Sequence, residues 1–205
     1  MKKIELEDAL RKFVPPGSES MLCEWIITYK AHVTITNARS SKLGDYRPPF
    51  GNKGHRISIN HNLNKYAFLI TLVHEIAHLQ AWNKFGNRVL PHGKEWKNEF
   101  KIHMQPFLAE IGLFPDDIKA ALRQYMNNPA ASSCSSPDLL KSLAKHDAAL
   151  KVFVDDIPLG VAFELQNGLI LKKGEKRRTR YLCQDMQSKR FYLVSGVAEV
   201  TRIVK

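Results

Sequence analysis

His74-Glu75-Ile76-Ala77-His78 sets two imidazoles four residues apart with a carboxylate directly after the first. On an α-helix, positions four apart share a face and lie about 6 Å apart along the axis, so both rings can reach one zinc ion. Glu75 is then placed to reach a water on that metal. His92 is the expected third ligand. The helix stops at Gly86, a natural left-handed cap, and the segment 87–93 can turn back toward the helix face. Three protein ligands plus water is the catalytic pattern, whereas structural zinc sites fill all four positions with protein groups. The fallback ligand is Glu95 or Glu99, presented by a helix that begins near Gly93.

The chemistry follows from those residue types. Zinc lowers the pKa of bound water towards neutrality and polarises a peptide carbonyl. Glu75 would take the water's proton and pass it to the leaving amine. Tyr46, Arg47, His61 and Tyr66 are the candidate oxyanion donors or substrate contacts. His55 and His61 flank a strand, and the plainer reading keeps both out of the site. His103 and His146 lack partners at ligand spacing and read as surface residues.

Such a site needs a buried helix under it. Residues 66–82 are apolar enough for that, and Asn62 or Asn64 caps a helix over 65–85. Before it, residues 4–13 and 18–30 read as amphipathic helices, 32–36 and 55–60 alternate as strands, and 40–47 is a second strand or a loop. After it, a helix from near Lys94 presents Trp96, Phe100 and Ile111 at helical spacing, with Trp96 and Phe100 as core against the metal helix. Pro106 should break or kink that helix, and Pro115 opens another over 115–127. Residues 129–137 form a small, polar, proline-bracketed linker. Beyond it, a short helical stretch at 138–149 gives way to alternation at 161–165, 169–173, 178–185, 190–194 and 198–204, with Asn167-Gly168 as a hairpin turn. The expected fold class is α+β: a protease domain over 1–128 and a small antiparallel β module within 138–205.

Composition suits this plan. The 205 residues are 44% hydrophobic and 25% charged, as in an ordinary globular protein. No apolar run is long enough to span a membrane, and the N-terminus lacks an apolar signal core, so the expected location is cytoplasmic. Cys23, Cys134 and Cys183 are far apart and form no Cys-x-x-Cys pair, so they give no grounds for a disulfide framework or a cysteine zinc ribbon. Cys23 reads as a small core residue.

The net charge of +11 attracts polyanions, of which nucleic acid is the commonest in cytoplasm. Lys172, Lys173, Lys176, Arg177, Arg178 and Arg180 form the best candidate nucleic-acid site, because the run straddles a turn and can present a rim to a phosphate backbone. Tyr181, Phe191 and Tyr192 either stack on bases or fill the module's core.

Four segments, Leu43-Gly44-Asp45-Tyr46-Arg47, Ile57-Ser58-Ile59-Asn60, Leu72 to His78 and Pro91-His92-Gly93-Lys94-Glu95-Trp96, resemble the SprT-like family, the bacterial relatives of the Spartan DNA-repair protease. The resemblance covers roughly residues 20–110. It implies a zincin-like metalloprotease domain, metal ligation at the positions of His74, His78 and His92, and catalysis at that of Glu75. Many members carry a cysteine zinc ribbon after this core. Here only Cys183 stands in that region, so the expectation is one zinc per chain and a β module without zinc ligands. The function expected is a zinc-dependent endopeptidase using metal-activated water on protein substrates, among them DNA-associated or DNA-crosslinked proteins. The alternative is a nucleic-acid-binding protein whose zinc site is structural or inactive.

Overall fold

A computed structural model describes residues 3–39, 41–130 and 136–204. It is mixed α+β and divides into two compact units, the first ending at His146 and the second starting at Asp147. Among the described residues no helix is long and apolar enough to cross a membrane.

In the first unit, α1 (Lys3–Arg11) and α2 (Glu19–Thr28) precede a three-stranded sheet of β1 (His32–Thr36), β2 (Gly44–Arg47) and β3 (Arg56–Asn60). The sheet order is β1-β3-β2, with β1 parallel and β2 antiparallel to the central β3. This makes β2 an edge strand. Buried Asn60 ties down the chain ahead of β2: its amide donates to the carbonyls of Arg39 and Lys42 at 3.1 and 2.9 Å.

Helix α3 (Lys65–Phe85) starts where Asn64 accepts from the amides of Tyr66 and Ala67. It ends at Gly86, whose φ of 66° glycine adopts without the Cβ penalty. Buried along most of its length, α3 is apolar on nearly every face, as a central helix must be. Helix α4 (Lys94–Ala109) packs along it through Trp96, Phe100, Met104 and Phe107. Truncating a buried aromatic such as Phe100 to alanine would cost about 3–5 kcal/mol.

Three expectations are corrected here. Pro106 does not break α4, which continues to Ala109; the carbonyl deprived of its partner is that of Ile102, a residue half exposed to water. Ile111 lies beyond the helix and is 93% exposed, so it is no part of the core stripe. His103 is buried rather than on the surface, between the carbonyl of Glu99 at 2.8 Å and the Tyr29 hydroxyl at 3.2 Å.

Helix α5 (Asp116–Asn127) is followed by α6 (Pro137–Ala144), which buries Leu139 and Leu143 in the first unit's core. The Asn64 amide donates to the Leu143 carbonyl at 2.9 Å, and Lys145 pairs with Asp117 at 3.0 Å. The helix read from the sequence as the start of the β module therefore packs with the first unit. Of the expected linker, residues 131–135, including Cys134, lie outside the described residues.

The second unit is all antiparallel: β4 (Val152–Phe153), β5 (Ala162–Leu165), β6 (Ile170–Lys172), β7 (Lys176–Arg177), β8 (Arg180–Asp185), β9 (Phe191–Ser195) and β10 (Glu199–Val204). The order is β4-β10-β5-β6-β8-β7, with β9 on β8. Asn167-Gly168 makes the β5–β6 turn, with Gly168 at φ 80°. Phe163, Leu171, Tyr181 and Cys183 fill a small core of its own. Cys183 is a buried free thiol.

Candidate metal centre

His74 and His78 occupy successive turns of α3, and His92 reaches them from the loop between α3 and α4. Their three Nε2 atoms converge, at 3.1 Å between His74 and His92, 3.3 Å between His74 and His78, and 2.9 Å between His78 and His92. These three histidines could hold a metal ion, and no other His, Cys, Asp or Glu among the described residues joins the group. Glu95 and Glu99, the fallback ligands, are not brought in. Glu99 is buried elsewhere along the α3–α4 interface, where it pairs with Lys84 at 2.7 Å and approaches His103 at 4.0 Å.

The loop that delivers His92 is a strained turn. His92 has φ 59°, a left-handed value uncommon outside glycine. The next residue, Gly93, donates its amide to the Leu90 carbonyl at 2.9 Å. A Cβ on Gly93 would stand 2.9 Å from that same oxygen, so the turn excludes a side chain there. Trp96, one turn into α4, forms the floor. Its ring lies 4.5 Å from that of His74 and 4.7 Å from that of His92, and its Nε1 donates to the His74 carbonyl at 3.3 Å.

Burial sets the protonation states. Desolvation, then the neighbouring histidines, lower His74 to about 2 and His78 to about 3, and burial lowers His92 as well. All three rings are thus neutral at neutral pH, the form that binds metal. Glu75 is 6% exposed. Desolvation first, then Asp45, raise its carboxyl to about 8, against the opposing pull of Arg39, Lys42 and a hydrogen bond from the Tyr46 amide. A cation at the histidines would draw that value back down.

β2 forms one wall of a cleft of about 610 Å3 that contains His74, Glu75, His78 and His92. Gly44 lies directly against Glu75, and a Cβ there would overlap the carboxylate and approach the Thr71 methyl to 2.8 Å. In the sequence Gly44 stands out only as part of a resembling segment; the requirement for a glycine comes from Thr71 and Glu75 on α3, 27 and 31 residues further on.

Of the four candidate oxyanion donors or substrate contacts, Tyr46 alone lines the cleft. Its ring is parallel to that of His78 within 1° at 6.3 Å, and its hydroxyl is engaged with His55 Nδ1 at 2.9 Å. Arg47 pairs with Asp45 at 2.9 Å, His61 is exposed beside the Thr36 carbonyl, and Tyr66 packs on Phe114 and His146. His146 is accordingly half-buried rather than on the open surface.

The basic run is divided by the second unit's fold. Lys172, Lys176, Arg177, Arg178 and Arg180 are exposed, and the last three surround the β7–β8 turn. Lys173 is corrected: it is 5% exposed, its ammonium donates to the carbonyls of Asp155 and Ile157, and it sits 4.1 Å from the centre of the Tyr181 ring. Tyr181 is core, its hydroxyl donating to Asp155 at 2.8 Å, whereas Phe191 and Tyr192 are exposed.

A model of the SprT-like family matches residues 8–109. Protein SprT of Erwinia tasmaniensis is 60% identical over 35 residues, 17% of this chain and 20% of the relative. Protein SprT of an Enterobacter species and of Escherichia coli O1:K1 are each 60% identical over 35 residues, 17% of this chain and 21% of the relative. The chain thus spans about a fifth of the length of these curated relatives. No solved structure matches at a significant level. The family match starts within α1, ends on the last residue of α4 and contains every residue that lines the cleft; across that span the chain belongs to the SprT-like family.

Proposed function

We propose that the first unit is a zincin-like, zinc-dependent endopeptidase, with one zinc held by His74, His78 and His92. The carrying observation is the convergence of three neutral imidazoles at 2.9–3.3 Å beside a buried carboxylate in one open cleft. Tetrahedral donors roughly 2.0–2.1 Å from zinc stand about 3.4 Å from each other, so the observed spacing suits the ion with little adjustment. Three donors leave a fourth position for water, which favours catalysis over a closed structural site. When bound, zinc would bring the pKa of water near neutrality and polarise a peptide carbonyl.

The remaining work falls to the chain. Glu75, held by the Tyr46 amide and by the space at Gly44, takes a proton from the attacking water and gives it to the leaving amine. Its carboxyl is placed in an environment that tunes its basicity, as a general base requires. Edge strand β2 gives extended polypeptide a wall to lie against. Trp96 keeps the histidine rings in position from below.

Extension of this activity to DNA-associated or DNA-crosslinked proteins is supported by the net charge of +11 and by the exposed cations Lys172, Lys176, Arg177, Arg178 and Arg180. The test is proteolysis of a generic unfolded protein by chelator-stripped chain, with zinc restored and with or without DNA. Cleavage that appears only with zinc supports the reading, and cleavage unaffected by chelation refutes it. A rate changed by DNA supports the extension.

A further inference from the structure

We propose, on the reading of this cleft as an endopeptidase site, that its end beyond His78 is a subsite for a large apolar side chain one or two residues before the scissile bond. Folded proteins bury such side chains, so the substrate class is unfolded segments that expose them.

Contacts along the cleft fix the order of its walls. Thr71, Glu75, His78 and Trp82 succeed one another at helical spacing on one face of α3. Gly44 lies against Thr71 and Glu75, and the Tyr46 ring is parallel to that of His78. β2 therefore advances in the same direction as α3 and brings Pro48 to the Trp82 end. Past Gly86 the chain returns toward His92 and carries Val89 and Leu90 along that end.

The two ends differ in character. Around Thr71 the lining includes Ser41, Lys42 and Asp45, the last two paired at 2.7 Å. Beyond His78 it is Pro48, Ala81, Trp82, Val89 and Leu90, with Asn87 as the polar side chain among them. No charged side chain lines this end among the described residues. Leu90 is 77% exposed and Trp82 partly so. Apolar surface left open in a cleft is what a ligand side chain gains by covering.

Strand direction assigns the side of the scissile bond. Antiparallel pairing is slightly more stable per residue than parallel, so an extended peptide added to β2 runs opposite to it. That peptide also runs against α3, with its N-terminal part at the Trp82 end and its C-terminal part at the Thr71 end. The four-residue step from His78 to Trp82 advances about 6 Å, less than two extended residues at about 3.3 Å each. The apolar residue thus stands one or two places before the bond placed at the three histidines.

The test uses the zinc-loaded full chain and labelled alanine-glycine peptides that carry a single Leu, Ser or Lys at the centre. Wild type should cut the Leu peptide at the first or second bond after that residue, with kcat/KM roughly 10- to 100-fold above the Ser peptide. Leu90→Ala, at an exposed position, should narrow that ratio by about three- to ten-fold. Leu90→Asp should move the preference to the Lys peptide, a change that loss of fold does not produce. Anisotropy of the same peptides with zinc-loaded Glu75→Gln should show Leu bound more tightly than Ser. Cleavage without preference for Leu, cuts before the Leu, or a preference that survives both Leu90 variants would overturn the subsite and leave the hydrolytic reading standing. Leu-selective binding without cleavage by wild type would support the subsite and refute hydrolysis. Neither binding nor cleavage would overturn both. A concentration-dependent dimer dissociated by Leu90→Ala would assign the apolar end to a second copy and overturn the subsite.

Discussion

Gly44 and Glu75 are in such close contact that no side chain fits between them: a Cβ on Gly44 would overlap the carboxylate and stand 2.9 Å from Glu75 Cγ. The edge strand and the metal helix are thereby fixed at the point where the proposed base must be aimed. Gly44→Ala should leave zinc content unchanged and lower kcat by roughly ten- to a hundred-fold, the usual cost of misplacing a catalytic group by about an ångström. Loss of zinc in parallel with activity would show that the glycine serves the whole centre and not Glu75.

The buried titrating groups predict the pH response of the metal-free protein. Below pH 6.5 the unfolded chain takes up protons that His74 and His78 refuse until about 2 and 3, so their contribution to stability falls as pH drops through that window. Glu75 acts the other way. The native state keeps its proton up to about pH 8 while the unfolded state loses it near 4.5, so stability falls as pH rises between those values. Glu75→Gln removes only the second effect. In chelator-treated protein it should therefore gain about 1 kcal/mol or more relative to wild type at pH 9 compared with pH 5. Thermal melts at the two pH values check this, and an equal difference at both would mean that Glu75 ionises freely in the fold.

What the sequence showed depended on how local the physics was. The α3 span, its Asn64 cap and its Gly86 stop all follow from neighbours in the chain, and the helix is found at 65–85 as read. The histidine pair inherits that register. By contrast, the fate of Lys173 depends on the carbonyls of Asp155 and Ile157, more than a dozen residues back, and charge alone could not separate it from its exposed neighbours. His103 looked solitary because its partners, Tyr29 and Glu99, are a distant residue and a backbone carbonyl one turn away. The membership of α6 in the first unit turned on Leu139 and Leu143 finding that core, a long-range choice that a proline-bracketed segment does not reveal. Strands β4 and β7, two residues each, are too short to alternate visibly.

The His92 turn gives a further prediction. Because a Cβ on Gly93 would crowd the Leu90 carbonyl at 2.9 Å, Gly93→Ala should shift the loop and with it the third imidazole. Zinc affinity should fall by roughly 10- to 100-fold, the range for disturbing groups that orient a ligand, while the melting temperature of the metal-free protein changes little. Competition with a zinc-binding dye measures it. Unchanged affinity would mean that the loop tolerates the side chain without moving His92.

The most direct measurement is zinc content and cleavage of one unfolded protein, determined side by side for wild type, His92→Ala and Glu75→Gln. The account predicts one zinc and cleavage for wild type, and substoichiometric zinc without cleavage for His92→Ala. For Glu75→Gln it predicts one zinc and a rate lower by about 10²- to 10⁴-fold. Full zinc occupancy in His92→Ala, two tightly held zincs in wild type, or undiminished cleavage by Glu75→Gln would contradict it.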